Sequence, residues 1–296
     1  MKKKINIGRR IFLVIDVLIL LFVVFICFMP IWHIIMASLS NPTALNSHHG
    51  LLILPAQNID FTPYKIVLKY QKLWVAYRNT IIYILSSCMI TGLLTTLAGY
   101  VFSRKRLYFR NTFMLIISFT MLFNGGMIPT YMVIRGLGLL DSPLSMVIPG
   151  ALTVFNIIIM RTAMENIPNE LEEAARMDGA SDLKILFKII LPLCKATFAV
   201  IMLFTVVYRW NDYFSALLYL PTKSEYYPLQ MVLRQILITA KIDLTSTASD
   251  VQNASSFYAK EIEYACIVVS TLPILCVYPF AQKYFVTGMT LGAVKS

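Results

Sequence analysis

The chain alternates between long apolar stretches and shorter polar segments. Six stretches are long enough to cross a bilayer, because a transmembrane helix needs about 20 mostly apolar residues. The pattern therefore predicts an all-α integral membrane protein with six transmembrane helices. The six predicted spans run over Ile11–Met36, Thr80–Ser103, Thr112–Ile134, Leu144–Met164, Ala196–Leu220 and Tyr264–Phe285.

The first apolar stretch follows five basic residues, an arrangement that also occurs in signal peptides. A signal peptide, however, has an apolar region of only about 7–15 residues. The stretch over Ile11–Met36 is much longer. We therefore expect it to be retained as a membrane anchor.

The composition agrees with a membrane protein, since 58% of residues are apolar and only 14% are charged. A soluble domain is typically about 45–50% apolar and about 25% charged. This balance argues against a soluble enzyme, a disordered protein and a nucleic-acid-binding protein. The net charge of +11 is instead expected to mark cytoplasmic segments.

The distribution of Lys and Arg predicts the orientation of the spans. With the N-terminus inside, the inside segments carry more than twice the density of basic residues found outside. The densest cluster lies between the second and third spans and contains Arg104, Lys105, Arg106 and Arg110. We predict a multi-pass protein of the cell membrane with both termini in the cytoplasm.

One predicted inside segment, 161–195, is longer and more polar than a simple turn. Pro168 can open a helix, and Glu172 and Arg176 are spaced as an i,i+4 ion pair. Gly179 suits the left-handed position that ends a helix, and Ser181 can cap the next one. We predict a cytoplasmic helix-turn-helix. It either docks into a groove of another protein or lies unpartnered at the membrane surface.

The same segment carries a motif that resembles a known family. Its Glu-Ala-Ala triplet, glycine, isoleucine and Leu-Pro pair stand at the spacing of the "EAA" loop of ABC-importer permeases. The matching residues are Glu173, Ala174, Ala175, Gly179, Ile189, Leu191 and Pro192.

The resemblance extends from about Asn79 to the C-terminus. Residues 209–214 and 287–295 resemble segments of the maltose-type carbohydrate permeases, specifically their MalG-like six-span subunit. Residues 123–130 are similar to the subgroup associated with polysaccharide or complex-sugar uptake. The resemblance implies the ABC-importer permease fold. It also implies a subunit that forms half of a sugar translocation path, for an oligo- or polysaccharide, in a bacterium.

The resemblance also implies a domain organisation. Residues 1–40 would hold the cytoplasmic tail and first span, and residues 41–78 an extracellular loop. The permease core would occupy 79–296, with a coupling loop at 165–192 and a C-terminal tail at 286–296. By the same resemblance, the tail could contact a separate ATPase subunit, or it could equally fray into solvent. The tail residues expected to make this contact are Gly288, Thr290, Gly292 and Lys295.

No phosphate-binding loop of the form G-x-x-x-x-G-K-[ST] occurs in the chain. The chain is therefore expected to be no enzyme and to bind no metal or cofactor, with ATP and Mg²⁺ held by a separate ATPase. The resemblance implies two copies of that ATPase, a second related permease and an extracellular solute-binding protein. Membrane lipid and a sugar are the other expected partners.

Polar side chains inside spans are candidates for the solute path, because they are costly in a bilayer. The candidates are Asn124, Trp210, Asn211, Asp212 and Tyr213. Two other interpretations stay open. Arg209 and Asp212 could pair and merely hold the bundle, and Asn124-Gly125-Gly126 could be a simple packing kink.

Rival functions also stay open. The solute could be another small molecule, or the chain could be a stand-alone secondary transporter, although the latter usually has more spans and midplane ionisable groups. A membrane-embedded enzyme lacks support, since no H-E-x-x-H or G-x-S-x-G motif occurs. An adaptor that organises a complex without forming a path is the last alternative.

Overall fold

The computed structural model describes residues 7–123, 125–245 and 259–293, and these residues form helices and loops without a strand. The first half contains α1 (Ile7–Ser38), α2 (Pro42–Ser47), α3 (Thr62–Lys69), α4 (Gln71–Ser103), α5 (Arg110–Leu122), α6 (Met127–Gly136) and α7 (Val154–Glu165). The second half contains α8 (Asn169–Met177), α9 (Asp182–Ile185), α10 (Leu191–Leu193), α11 (Lys195–Trp210), α12 (Phe214–Tyr219), α13 (Leu229–Thr245) and α14 (Ala259–Ala293). Single 3₁₀ turns lie at Pro143–Met146 and Ser224–Tyr226, and a π turn at Leu186–Ile190.

Three of the predicted spans each lie within one continuous helix. Within the described residues, Ile11–Ser38 and Gln71–Ser103 are long and apolar enough to cross a membrane. Side chains along most of α1 are exposed, as expected for a helix that faces lipid. The sixth predicted span lies inside α14. The full count of six spans stays a prediction.

The fourth predicted span, Leu144–Met164, is not one continuous helix. A 3₁₀ turn over Pro143–Met146 is followed by irregular backbone, and α7 begins only at Val154. Pro149 lacks the N–H that a helix would need, and Gly150 adopts a left-handed φ of +74°. Apolar composition alone therefore overestimated the helical length.

The third and fifth predicted spans are interrupted as well. Helix α5 ends at Leu122, and α6 begins after Gly126, which has a φ of +91°. Helix α11 ends at Trp210, and α12 begins at Phe214. Where a helix is interrupted, backbone N–H and C=O groups lose their partners within the helix. Buried polar side chains can then form hydrogen bonds with these groups.

One compact unit comprises the chain up to Tyr70 together with Gln235–Leu272. In this unit the end of α1 is fixed by polar side chains. Trp32 donates from Nε1 to the Ile53 carbonyl at 2.9 Å, and the Leu52 N–H donates to His33 Nδ1 at 3.1 Å. These bonds hold the loop after α1 against a small apolar core.

The second unit comprises Gln71–Arg234 together with the chain from Pro273 onward, and α4 is its central helix. Small residues on α4 allow close packing. A Cβ on Gly99 would lie 2.8 Å from Met160 Cγ, and one on Gly92 would lie 3.2 Å from the Phe198 ring. Helices α7 and α11 therefore approach the α4 backbone closely, as is typical of membrane helix pairs.

Loops of the second unit are tied down by buried or charged groups. Asn79 Nδ2 donates to the carbonyls of Glu225 and Tyr227 at 2.7 and 3.1 Å. Asp141 accepts from the Thr222 N–H at 3.0 Å and from the Thr222 hydroxyl at 2.8 Å. The Lys223 N–H donates to the same carboxylate at 3.2 Å. The bonds from Thr222 and Lys223 lower the pKa of Asp141.

Candidate functional site

The helix-turn-helix motif folds as α8, a tight turn, α9, the π turn and α10; we call residues 169–193 the elbow. Pro168 precedes α8, and Glu170 and Glu172 lie in its first turn, where the helix dipole favours negative charge. Gly179 adopts a φ of +77°. The Gly179 N–H donates to the Arg176 carbonyl at 2.9 Å, and the Ala180 N–H donates to Ala175 at 3.0 Å. This pair of backbone hydrogen bonds defines a Schellman motif, which favours glycine at the left-handed position.

The inner face of the elbow is apolar and packs on the ends of α4 and α7. Ile185, Leu186 and Ile190 are fully buried, and Ala175 is nearly so. They share one cluster with Tyr100, Met160, Met164, Cys194 and Ile201. The elbow is therefore a packed part of the second unit.

A buried ion pair fixes the first helix of the elbow. The Glu172 carboxylate pairs with Arg104, and both side chains are only 9% exposed. Glu172 also accepts from the Tyr100 hydroxyl at 3.2 Å and from Arg176 Nη2 at 2.6 Å. The cluster therefore anchors α8 to the end of α4.

Asp182 extends this network at the surface. Its carboxylate accepts from Arg176 at 2.8 Å and from Arg106 at 2.6 Å. Arg176 before the turn and Asp182 after it form an ion pair, so this pair restrains the angle between α8 and α9. Asp182 is half exposed, so its pairs contribute less than the buried one.

Among the glutamates of α8, Glu172 is the one that makes these bonds within the chain. Glu173 and Ala174 are exposed, as is Pro192, whereas Ala175 is buried. Ile189 and Leu191 are half-buried. The ion pair between Glu172 and Arg176, predicted from their i,i+4 spacing, is present at 2.6 Å.

The outer face of the elbow exposes large apolar side chains among its charges. Met177 is 89% exposed, Leu183 61% and Phe187 42%. Glu173 and Ala174 are exposed as well, and we call these five residues the outer face of the elbow. Exposed apolar groups next to a rigid polar frame are typical of a surface that binds another protein.

The candidate path residues lie where α11 gives way to α12. Arg209 is 4% exposed and Asp212 is 7% exposed. Arg209 donates to Asp212 at 3.2 Å, to Ser87 Oγ at 2.9 Å, and to the carbonyls of Val147 and Pro149 at 3.1 and 2.8 Å. The structure therefore favours a bundle-holding role for this pair.

The other candidates differ in their exposure. Trp210 is buried and meets the Tyr77 ring edge-on at 6.3 Å, whereas Asn211 is exposed and donates to the Val207 carbonyl at 2.9 Å. Tyr213 is 41% exposed. Asn124 lies outside the described residues.

Gly288, Thr290 and Gly292 lie in the last turns of α14, and Lys295 lies outside the described residues. Their expected contact with an ATPase stays a prediction.

Long apolar helices, interrupted spans with buried polar groups and a packed helix-turn-helix together define a helical membrane protein. The comparisons with known proteins give the family. Residues 73–291 match the family described as the binding-protein-dependent transport system inner membrane component, and the chain belongs to it. The predicted resemblance to ABC-importer permeases is thereby confirmed.

Two relatives and one solved structure match this chain over nearly their whole length. The chain is 40% identical to the polygalacturonan/rhamnogalacturonan transport system permease protein YtcP of Bacillus subtilis, over 93% of this chain and 95% of that protein. It is 37% identical to Protein LplC of the same organism, over 97% and 95%. A crystal structure of a bacterial ABC transporter that imports the acidic polysaccharide alginate matches with a TM-score of 0.84. That match has 35% identity and covers 95% of this chain and 98% of the other.

Proposed function

We propose that this chain is the membrane permease subunit of an ATP-driven importer for an oligo- or polysaccharide, with acidic pectin-type sugars as the first candidates. The printed functions of its relatives support this substrate class, since one permease serves polygalacturonan and rhamnogalacturonan and one structural match imports alginate. The observation that carries the proposal is the elbow, a rigid docking surface on a chain that lacks its own phosphate-binding loop.

The chain works with separate partners in this proposal. Two copies of an ABC ATPase hold ATP and Mg²⁺, a second related permease forms the other half of the path, and an extracellular binding protein delivers the sugar. Six spans place both termini and the elbow in the cytoplasm. Arg104 and Arg106 support this orientation, because they belong to the basic cluster and contact the elbow directly.

Energy transfer follows from how the elbow is attached. The exposed face with Met177 and Leu183 lies in a cleft of the ATPase, and closure of the ATPase dimer moves α8. Because Glu172 fixes α8 to the end of α4, that movement reaches the span directly. The buried residues of α9 and the π turn carry it to α7 and α11.

The experiment is reconstitution of the complete transporter in proteoliposomes. Uptake of oligogalacturonides that depends on ATP and on the binding protein supports the proposal. Matched assays with a neutral maltodextrin and with an imposed ion gradient test the other substrate class and the secondary-transporter alternative. Uptake driven by the ion gradient without the ATPase contradicts the proposal.

A further inference from the structure

A cavity of about 470 Å³ lies between α4, α7 and α11 in the second unit. This volume falls within the range of about 300–1,000 Å³ that is typical of small-molecule sites. The cavity lies along three helices of the bundle, away from the elbow. None of the path candidates that the structure describes lines it. Its principal lining residues are Thr91, Phe155, Asn156, Phe204, Thr205 and Tyr208.

The cavity contains a buried amide that the protein leaves unused. Asn156 is 7% exposed, and among the described residues its side chain has no hydrogen-bond partner. A buried amide without a partner costs free energy, and more so at membrane depth. Thr91, on the opposite helix, is 2% exposed and lines the same cavity. An amide and a hydroxyl that face one space are suited to bind the hydroxyl groups of a ligand.

The cavity also presents aromatic surfaces. The rings of Phe155 and Phe204 lie with their centroids 6.3 Å apart at an interplanar angle of 39°. Tyr208 also lines the cavity, and the Arg209 guanidinium lies 5.2 Å from the centroid of its ring. The C–H face of a sugar ring packs on aromatic surfaces of this kind, while polar groups at the edge bind its hydroxyls.

The charges around the cavity argue against an ionic ligand. Arg209 lines it, but its guanidinium is already engaged by Asp212, by Ser87 and by two backbone carbonyls. No carboxylate lines the cavity among the residues that the structure describes, so a cation would find no counter-charge from them. A neutral face of a carbohydrate fits this chemistry better than a carboxylate or a metal ion.

We propose that this cavity is a subsite that binds one pyranose ring of the transported glycan, through the Asn156 amide, the Thr91 hydroxyl and the aromatic pair. This inference rests on the proposed function and adds to it a direct contact between this subunit and the sugar. Because the site binds the hydroxyl groups of the sugar ring, it accepts both acidic and neutral sugars.

The test uses the reconstituted complete transporter, with trigalacturonate and maltotriose as probes. Asn156→Leu removes the amide at similar size, and Thr91→Val removes the hydroxyl. We expect the maximal uptake rate of a transported probe to fall about tenfold for Asn156→Leu and about threefold for Thr91→Val, the range for loss of one buried hydrogen bond. ATP hydrolysis without sugar should stay at the wild-type rate.

Thr205→Val is the matched control, because Thr205 lines the cavity but its hydroxyl donates to the Ile201 carbonyl at 3.0 Å. This variant should transport at a rate close to wild type. Equal uptake by the Asn156, Thr91 and Thr205 variants overturns the subsite. Failure of the wild-type transporter to import either probe overturns the proposed function itself, so the two failures are distinguishable.

Discussion

Replacement of Glu172 by Gln should release α8 from the end of α4. The substitution keeps the size of the side chain but removes its charge, which leaves Arg104 buried without its counter-charge. Both side chains are 9% exposed, so solvent screens the pair weakly. Removal of one partner of a buried ion pair typically costs about 3–5 kcal/mol.

We expect a loss near the lower limit, about 3 kcal/mol, because Gln still accepts a hydrogen bond from Tyr100 or Arg176. The partner Arg176 is 35% exposed and can turn to solvent. A change of this size raises the population of detached α8 about a hundredfold. Hydrogen exchange of the α8 amides in nanodiscs measures this population directly.

Glu170→Gln is the matched control, since Glu170 lies on the same helix and in the same first turn but is exposed. Its exchange rates should change little. The double variant Arg104→Met with Glu172→Met should recover most of the protection, because an apolar pair replaces the ion pair. Equal exchange in the Glu172→Gln and Glu170→Gln proteins would refute the anchoring role.

Other predictions concern the turn at Gly179, the buried Arg209 and the hydrogen bonds by which Asp141 holds the loop at Thr222 and Lys223, which we call the loop clasp. Gly179→Val should destabilise the elbow by about 2 kcal/mol, because a β-branched residue is strained at a φ of +77°. In the reconstituted transporter this variant should still hydrolyse ATP but import less sugar. Gly179→Asn should retain more uptake than Gly179→Val. Arg209→Met should lower stability by about 3–5 kcal/mol, since it leaves Asp212 buried and unpaired; thermal unfolding in detergent measures this, and the exposed Arg135→Met should unfold as wild type does. Asp141 accepts bonds from Thr222 and Lys223 more strongly while ionised, and the pKa of Asp141 lies below its ordinary value of 3.8, chiefly because the Thr222 N–H donates to it. The clasp should therefore persist at neutral pH and be lost as the pH falls through that lowered pKa. Protection of the Thr222 amide at pH 7 should disappear in Asp141→Ala, and its survival there would contradict this role.

Long apolar stretches predicted the helices well where the chain is uninterrupted. The helices α1 and α4 and the long α14 fall where hydropathy places them, because backbone groups in lipid must be satisfied within a helix. The same reasoning failed at Leu144–Met164. There Pro149 and Gly150 break the helix, and the freed carbonyls of Val147 and Pro149 are satisfied by Arg209.

The elbow could be predicted from local signals, since helix starts and ends depend on neighbouring residues. Its electrostatic anchor could not, because Arg104 and Glu172 are 68 residues apart and meet only in the folded chain. The cavity around Asn156 was missed for the same reason. Its lining comes from three helices, and a single Asn in an apolar run carries no signal of what faces it.

The central claim is that the outer face of the elbow binds an ATPase. The most direct measurement is photo-crosslinking from a reactive amino acid placed at Met177, which is 89% exposed, in membranes that contain the whole transporter. A probe at the exposed Ile53, in the loop after α1, is the control. The account predicts capture of an ABC ATPase subunit from position 177 and none from position 53. An elbow that captures no nucleotide-hydrolysing partner, in a transporter that still imports its sugar, would contradict it.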